Sequence, residues 1–321
     1  MREIFVDVKG GCGYNISLCR VLSEVKATVP NEYKFYVRSP YWDIFEACSA
    51  VDGVYKPEEI RDFIFDAKER GAEIVEHRLY DISDFIYKKL NYREAWLKIL
   101  NIKLPAKTVK PVDFLDKVLQ VWPNLQKNVD DVMKAVGTHR FIIVQFCGGQ
   151  SPLDVPRDGN WANKPYDYQH EPLKRHYPTE KAQEFVDNYK RVHPFTKIIQ
   201  YALPNEPQLK GCEHFVIPYL AYYLLAKNTA HCLGFVSIDS SLQHLITGIA
   251  NGVVIWGHSL PSNFGYDCNK NIIQRCRRDD ILYFTELGAS GAKIDYIEPG
   301  ELYNTVEEYL VHKDEEEIEN A

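Results

Sequence analysis

The chain has 321 residues, 45% hydrophobic and 26% charged, with a formal net charge of −7 and a mean hydropathy of −0.34. That length suits two domains of roughly 150 residues each better than one core, in the composition of an ordinary globule. The acidity argues against nucleic-acid binding, which draws on a basic excess, and no apolar run approaches the roughly 20 residues of a bilayer span.

Residues 1–8 are too short and too acidic for a signal peptide and read as a first strand. Gly10-Gly11-Cys12-Gly13 is a glycine-rich turn. Residues 15–28 carry Ile16, Leu18, Cys19, Leu22 and Val25 close to a helical period, until Pro30 and Asn31 break it. Strands at 33–37 and 51–55 flank a short helix at 41–50. A helix at 57–70 opens on Pro57, runs Ile60, Phe63, Ile64 and Ala67 along one face and stops at Gly71, ahead of a strand at 72–77. Alternation at this spacing predicts a parallel sheet with helices on both faces. From 81 to 122 the rhythm turns helical, aromatic and basic: Tyr80, Phe85, Tyr87, Tyr92 and Trp96 stand among Lys88, Lys89, Arg93 and Lys98. The plain reading is a helical excursion packed on its own domain. The functional one is an acceptor-facing surface, since rings and cations suit carbohydrates or anions.

A second series begins near His139, and the restart after Gly137-Thr138 predicts domains of 1–137 and 138–321. Residues 141–146 form a strand ending in Cys147-Gly148-Gly149-Gln150, and 151–176, polar and aperiodic, a loop. A helix at 179–191 is expected to use Thr179 as N-cap and to turn Ala182, Phe185, Val186 and Tyr189 inward. Then come a strand at 197–201, a helix at 217–226, strands at 232–238 and 253–256, and between them a helix at 241–250. A last helix around 301–311 is expected to pack back toward the N-terminal domain, and 314–319 is a solvated acidic tail. Eight cysteines without a Cys-x-x-Cys pair predict free thiols in a reducing cytoplasm, and no metal site.

The segment 232–257 carries the chemistry. A buried strand ends at Asp239, Ser240 and Ser241 cap a helix, His244 lies one turn into it, and a second buried strand ends at Gly257. Ligands of open α/β sheets lie beyond the carboxyl ends of the strands, and a helix N-terminus offers unpaired N–H groups that suit a diphosphate. The two serine hydroxyls add donors, while anionic Asp239 suits a sugar hydroxyl or the turn itself. Asp239-Ser240 alone is more simply a helix cap; His244, Gly257 and the flanking strands turn the balance toward a site.

This segment resembles the donor-site signature of the heptosyltransferases, glycosyltransferase family nine: Asp-(Ser/Thr)-Gly-x-x-His-Leu, then a small-residue helix and a strand ending in Gly. Here Ser241 stands where the family has Gly. Lys174-Arg175-His176-Tyr177-Pro178 is similar to the family's Lys-Arg-Trp-Pro, where a cation contacts donor phosphate; Arg175, with its bidentate fork, or Lys174 is implied in that role. The resemblance covers most of 139–260 in order, and the general layout of the N-terminal half. After the last strand, Tyr266 or Phe264 is implied to stack on the nucleotide, with core packing the alternative. The family also has a Gly-Asp pair after its first strand, whose Asp is the implied general base. This chain has no carboxylate there: its acceptor-side loop is Gly11, Gly13, Tyr14 and Asn15, and the candidate carboxylates are Asp7, Asp81, Asp84 and Glu94.

The resemblance implies the GT-B architecture, α/β with two Rossmann-like domains facing a cleft, the first on the acceptor side and the second binding a nucleotide-sugar. It implies a cytoplasmic, metal-independent glycosyltransferase, with no cofactor beyond the nucleotide-sugar co-substrate, moving a hexosyl or heptosyl group to a glycan, glycolipid or protein. The missing Gly-Asp pair keeps open a catalytically inactive binding or assembly protein of the same fold. The basic aromatic stretch keeps open a glycosyltransferase acting on modified DNA bases. A nicotinamide-dependent oxidoreductase fits poorly, because Gly10-Gly11-Cys12-Gly13 lacks Gly-x-Gly-x-x-Gly spacing.

Overall fold

The computed structural model describes residues 1–76, 78–86, 90–104, 113–148, 176–203, 206–228, 230–256, 261–273 and 297–312. The chain divides into two compact units, Met1–Leu125 and Gln126–Ala321.

The first unit is built on four parallel strands, β1 (Arg2–Asp7), β2 (Tyr33–Arg38), β3 (Gly53–Tyr55) and β4 (Glu73–Val75), in the order β3-β2-β1-β4. Ile4, Phe5 and Val6 of central β1 are buried in succession, as a strand covered on both faces requires. The helix Cys12–Thr28 buries Ile16, Leu18, Cys19, Leu22 and Val25; because it starts at Cys12, Gly13, Tyr14 and Asn15 form its first turn rather than a loop. The helix expected at 57–70 is a 3-10 turn, Pro57–Glu59, running into an α-helix, Ile60–Glu69. Phe63 and Ala67 face its core, while Ile60 and Ile64 are exposed, against expectation. Gly71 takes a left-handed φ of +60° and lets the Ala72 N–H reach the Ala67 carbonyl at 2.8 Å, which ends the helix.

Within 81–122 the plain reading holds. Phe85, Tyr92 and Trp96 are buried, while Arg93 pairs with Glu24 and Lys98 with Asp84. Helical period alone separates rings from cations on the helix Tyr92–Ile99. Tyr87, Lys88 and Lys89 lie outside the described residues.

The second unit has six parallel strands, β5 (Phe141–Gln145), β6 (Lys197–Gln200), β7 (Glu213–His214), β8 (Cys232–Ile238), β9 (Gly252–Trp256) and β10 (Lys270–Ile273), in the order β10-β9-β8-β5-β6-β7. Every residue of β5, β8 and β9 is buried. The helix Thr179–Val192 lays Ala182, Phe185, Val186 and Tyr189 on the core, but its N-cap position belongs to Pro178 rather than Thr179, with no side-chain cap. Leu302, Val306 and Leu310 join the same core. The last helix, Pro299–Val306, thus packs on the core of the second unit. The helix Asn124–Val136 ends at Gly137, whose φ is +68°. That stop is what the sequence displays ahead of residue 138; the side on which the helix counts depends on contacts such as Asn228 Nδ2 to the Met133 sulfur at 3.7 Å.

In each unit the chain builds outward from its first strand and then crosses to that strand's other side. The strand order therefore reverses between β1 and β4, and between β5 and β8. Carboxyl ends at such a reversal are where open α/β sheets hold ligands. Among the described residues no helix is long and apolar enough to cross a membrane.

Candidate functional site

At the reversal between β5 and β8, Asp239 and Ser240 lead from β8 into the helix Ser241–Ile246. Ser240 occupies the N-cap position in extended conformation, yet its hydroxyl makes no cap bond. Instead the Leu242 N–H donates at 3.3 Å to Oε1 of Gln145, the last residue of β5. The cap expected from the serines is thus supplied by the neighbouring strand, and both serines are half-buried. Gly148 sits at the same corner. A Cβ there would stand 3.0 Å from Ile238 Cδ1 and 3.1 Å from Ser240 Oγ, so Ile238 and Ser240 pack against the glycine too closely for a side chain.

Asp239 is 7% exposed and accepts a 2.6 Å hydrogen bond from Gln243 Nε2. Gln243 is fully buried, and its Oε1 meets no partner. Nδ1 of buried His244 shares a 2.9 Å hydrogen bond with the Tyr266 hydroxyl, their rings edge to face at 5.6 Å. The fold therefore brings Asp239, Ser240, Ser241, His244 and Tyr266 together. The helix stops at Ile246 rather than 250: Thr247 bridges to Ala250, and Gly248 between them is left-handed at φ +84°. Six residues give a smaller macrodipole than the longer helix expected. Lys174, Arg175 and Gly257 lie outside the described residues.

Sequence reasoning passed over three further groups at this edge. Gln145 carries the cap. His176 accepts from the Gly148 N–H through Nδ1 at 3.4 Å, and burial pushes it down to about 4, so the ring is neutral near pH 7. Glu206, 6% exposed beyond β6, accepts the Leu203 N–H at 2.7 Å; burial nevertheless pushes its carboxyl up to about 7. Burial first, and then the charge of Glu206, push up the thiol of Cys147 just past β5. Among the described residues no group of three His, Cys, Asp or Glu is placed to hold a metal ion.

The corresponding edge of the first unit is committed to itself. Asp7, ending β1, accepts from Arg38 Nη2 at 2.8 Å, both side chains buried, with Lys9 Nζ at 3.4 Å. Asn15 donates to the carbonyls of Gly10 and Gly11 at 3.3 and 3.0 Å and accepts from Ser39 Oγ at 2.6 Å. The Tyr14 hydroxyl accepts from the Leu79 N–H at 2.7 Å, its ring edge-on to Trp96. Gly10, at φ +140°, is the glycine this turn requires; Gly11 is in ordinary extended conformation and Gly13 is helical. Asp81 accepts the Arg78 N–H at 2.7 Å, Asp84 pairs with Lys98 at 2.7 Å, and Glu94 closes a reciprocal cap with Asn91. Of the candidate carboxylates Asp7 ends the central strand itself, and two cations answer its charge.

No protein-family model matches the chain, and no curated protein does. Solved structures do match. The glycosyl transferase family 9 protein of Veillonella parvula DSM 2008 is 13% identical at a TM-score of 0.58, over 97% of this chain and 98% of that one. The ADP-heptose lps heptosyltransferase II of E. coli is 12% identical at 0.60, over 98% and 100%. The E. coli heptosyltransferase WaaC with ADP-2-deoxy-2-fluoro heptose is 11% identical at 0.52, over 95% and 99%. With these glycosyltransferases the chain shares its fold, the two-sheet α/β architecture of the GT-B kind.

Proposed function

We propose that this protein is a glycosyltransferase taking a sugar from a nucleotide-activated donor seated at the carboxyl edge of the second sheet. The observation that carries the reading is the β5–β8 corner, where the backbone of Gly148 packs close against Ser240, with Asp239 and His244 within a turn of it. Support comes from the shared fold, since WaaC structures hold ADP and an ADP-heptose analogue. In this reading the hydroxyls of Ser240 and Ser241, the N–H groups behind them and Arg175 or Lys174 receive the diphosphate. Asp239 accepts sugar hydroxyls, and Tyr266 steadies His244. N–H groups and a cation suffice to meet the charge growing on the departing nucleoside diphosphate, so no metal is required. The acceptor is a glycan, glycolipid or protein whose hydroxyl gives up its proton during transfer.

One observation favours a second reading, an inactive binding or assembly protein: Asp7, the candidate carboxylate that ends β1, is held between Arg38 and Lys9. Titration with ADP-, GDP- and UDP-sugars tests the first step. A donor at 100 times its Kd raises stability by about 2.7 kcal/mol, and release of free nucleotide in the presence of acceptor separates the active from the inactive reading. No stabilisation by any donor would sink both. Binding and turnover are expected to survive EDTA; loss on chelation, restored by Mn²⁺ or Mg²⁺, contradicts the metal-independent step.

A further inference from the structure

The first sheet has a second stretch of carboxyl edge, over β2 and β3, away from its reversal point. Trp42 opens the short helix Trp42–Glu46 that follows β2, and Lys56 follows the last residue of β3. Trp122 closes the helix Val118–Val121. The two indoles meet at 5.5 Å between centroids, tilted by 52°, and Lys56 Nζ stands 4.6 Å from the centre of the Trp42 ring. Both tryptophans are half-buried. The Trp122 Nε1 is buried without an acceptor, so the part of that ring reaching solvent is carbon. Stability alone does not ask for tryptophan here, because a stranded N–H costs about 1–3 kcal/mol that a leucine or methionine sealing the same edge would avoid.

The charges around the rings select the ligand. Burial raises the Glu46 carboxyl; Lys56 opposes that, and Asp43 and Glu59 add to it. Glu59 also accepts the Lys56 N–H at 2.6 Å. Asp43, Glu46 and Glu59 thus outnumber the one ammonium of Lys56 around this edge, which disfavours phosphorylated or acidic ligands and offers acceptors to hydroxyl groups. The apolar C–H face of a pyranose matches a half-exposed indole, and its hydroxyl rim matches carboxylates and an ammonium.

We propose that Trp42 and Trp122, with Lys56, form a binding platform for an uncharged pyranose unit of a glycan. Calling that glycan the acceptor rests on the glycosyltransferase reading; the binding itself does not. The test uses the full chain without donor, on immobilised hexaoses of glucose, mannose and N-acetylglucosamine, beside sialyllactose and oligogalacturonate. Wild type is expected to hold at least one neutral hexaose and neither anionic probe. Trp42→Ala is expected to weaken that binding about tenfold or more, Trp42→Phe to restore part of it, and both to leave donor affinity unchanged. Trp122→Phe, with the change in tryptophan fluorescence on adding the hexaose, covers the case in which Trp42→Ala fails to fold. Binding of no neutral hexaose by wild type, preference for the anionic probes, or undiminished binding by Trp42→Ala overturns the platform. Hexaose binding without donor binding sinks the transferase reading alone, and donor binding without hexaose binding sinks the platform alone.

Discussion

At the carboxyl end of β1 the polar side chains answer one another, whereas at the carboxyl end of β5 Ser240, at the N-cap position, leaves the capping to Gln145. The wiring of the two sheets is the same, each with its first strand inside and the chain crossing back over it. Yet Asp7 meets Arg38, Asn15 closes on the glycine turn and Tyr14 reaches Leu79 in the first unit. In the second, Gly148 brings no side chain, and Ser240 gives its hydroxyl to no helix N–H. Topology therefore nominates both edges, and the Ser240 hydroxyl, unused as a cap, separates them: a polar group already paired costs a pairing before it can bind anything.

The sharpest way to break this comparison is at Asp7. Asp7→Ala leaves the Arg38 guanidinium buried without its partner and is expected to cost about 3–5 kcal/mol, read as a lower urea midpoint, with donor affinity at the second unit unmoved. A stable Asp7→Ala protein that binds donor but no longer turns it over would make Asp7 the base, and the first edge would then be catalytic.

Glu206 gives the next largest effect. Its ordinary value is 4.5, and burial lifts it to about 7 in the fold. The folded state thus holds the proton more tightly than the unfolded chain. The stability this contributes is fully present below 4.5 and is lost as pH rises through 7, about 3 kcal/mol in all. Glu206→Gln is expected to flatten the unfolding free energy between those two values, measured by denaturant titration at several pH values. A variant that keeps the wild-type slope shows that the carboxyl is ionised in the fold.

Ser240 and Gln145 divide what the sequence assigned to one residue. Ser240→Ala is expected to leave stability unchanged and to weaken donor binding about ten- to a hundredfold, the worth of a hydrogen bond to a charged group. Gln145→Ala, removing the actual cap, is expected to cost about 1 kcal/mol of stability. Loss of stability in Ser240→Ala with unchanged donor affinity reverses the assignment.

That exchange of roles also marks how far the sequence could be read. β8 is visible at its full length because Cys232–Ile238 is apolar apart from Ser237, and buried on both faces. β7, two polar residues, and β10, an edge strand with alternating burial, make no such run and went unread. Asp239, Ser240 and His244 were legible because one local segment holds them all. Gln145 was not, since its role depends on β5 and β8 being neighbours across the chain. Nor was the meeting of Trp42 and Trp122. The interleaved rings and cations at 85–98 left a surface open beside the plain reading of a packed excursion, and a helical period sends Trp96 inward and Lys98 outward.

The smallest expected effect lies at Tyr266, and it tests whether the β5–β8 corner is held in shape from behind. The hydroxyl of Tyr266 meets Nδ1 of His244 at 2.9 Å. Tyr266→Phe keeps the ring and its edge-to-face contact and removes that bond, about 1 kcal/mol or roughly fivefold in donor affinity if His244 needs the bond to face the donor. His244→Ala removes the imidazole outright and is expected to cost more. In the double variant the loss from Tyr266→Phe should vanish, because there is no ring left to steady. If the two losses simply add, Tyr266 meets the nucleotide on its own account, and the stacking role implied for it by the family resemblance is the one to keep.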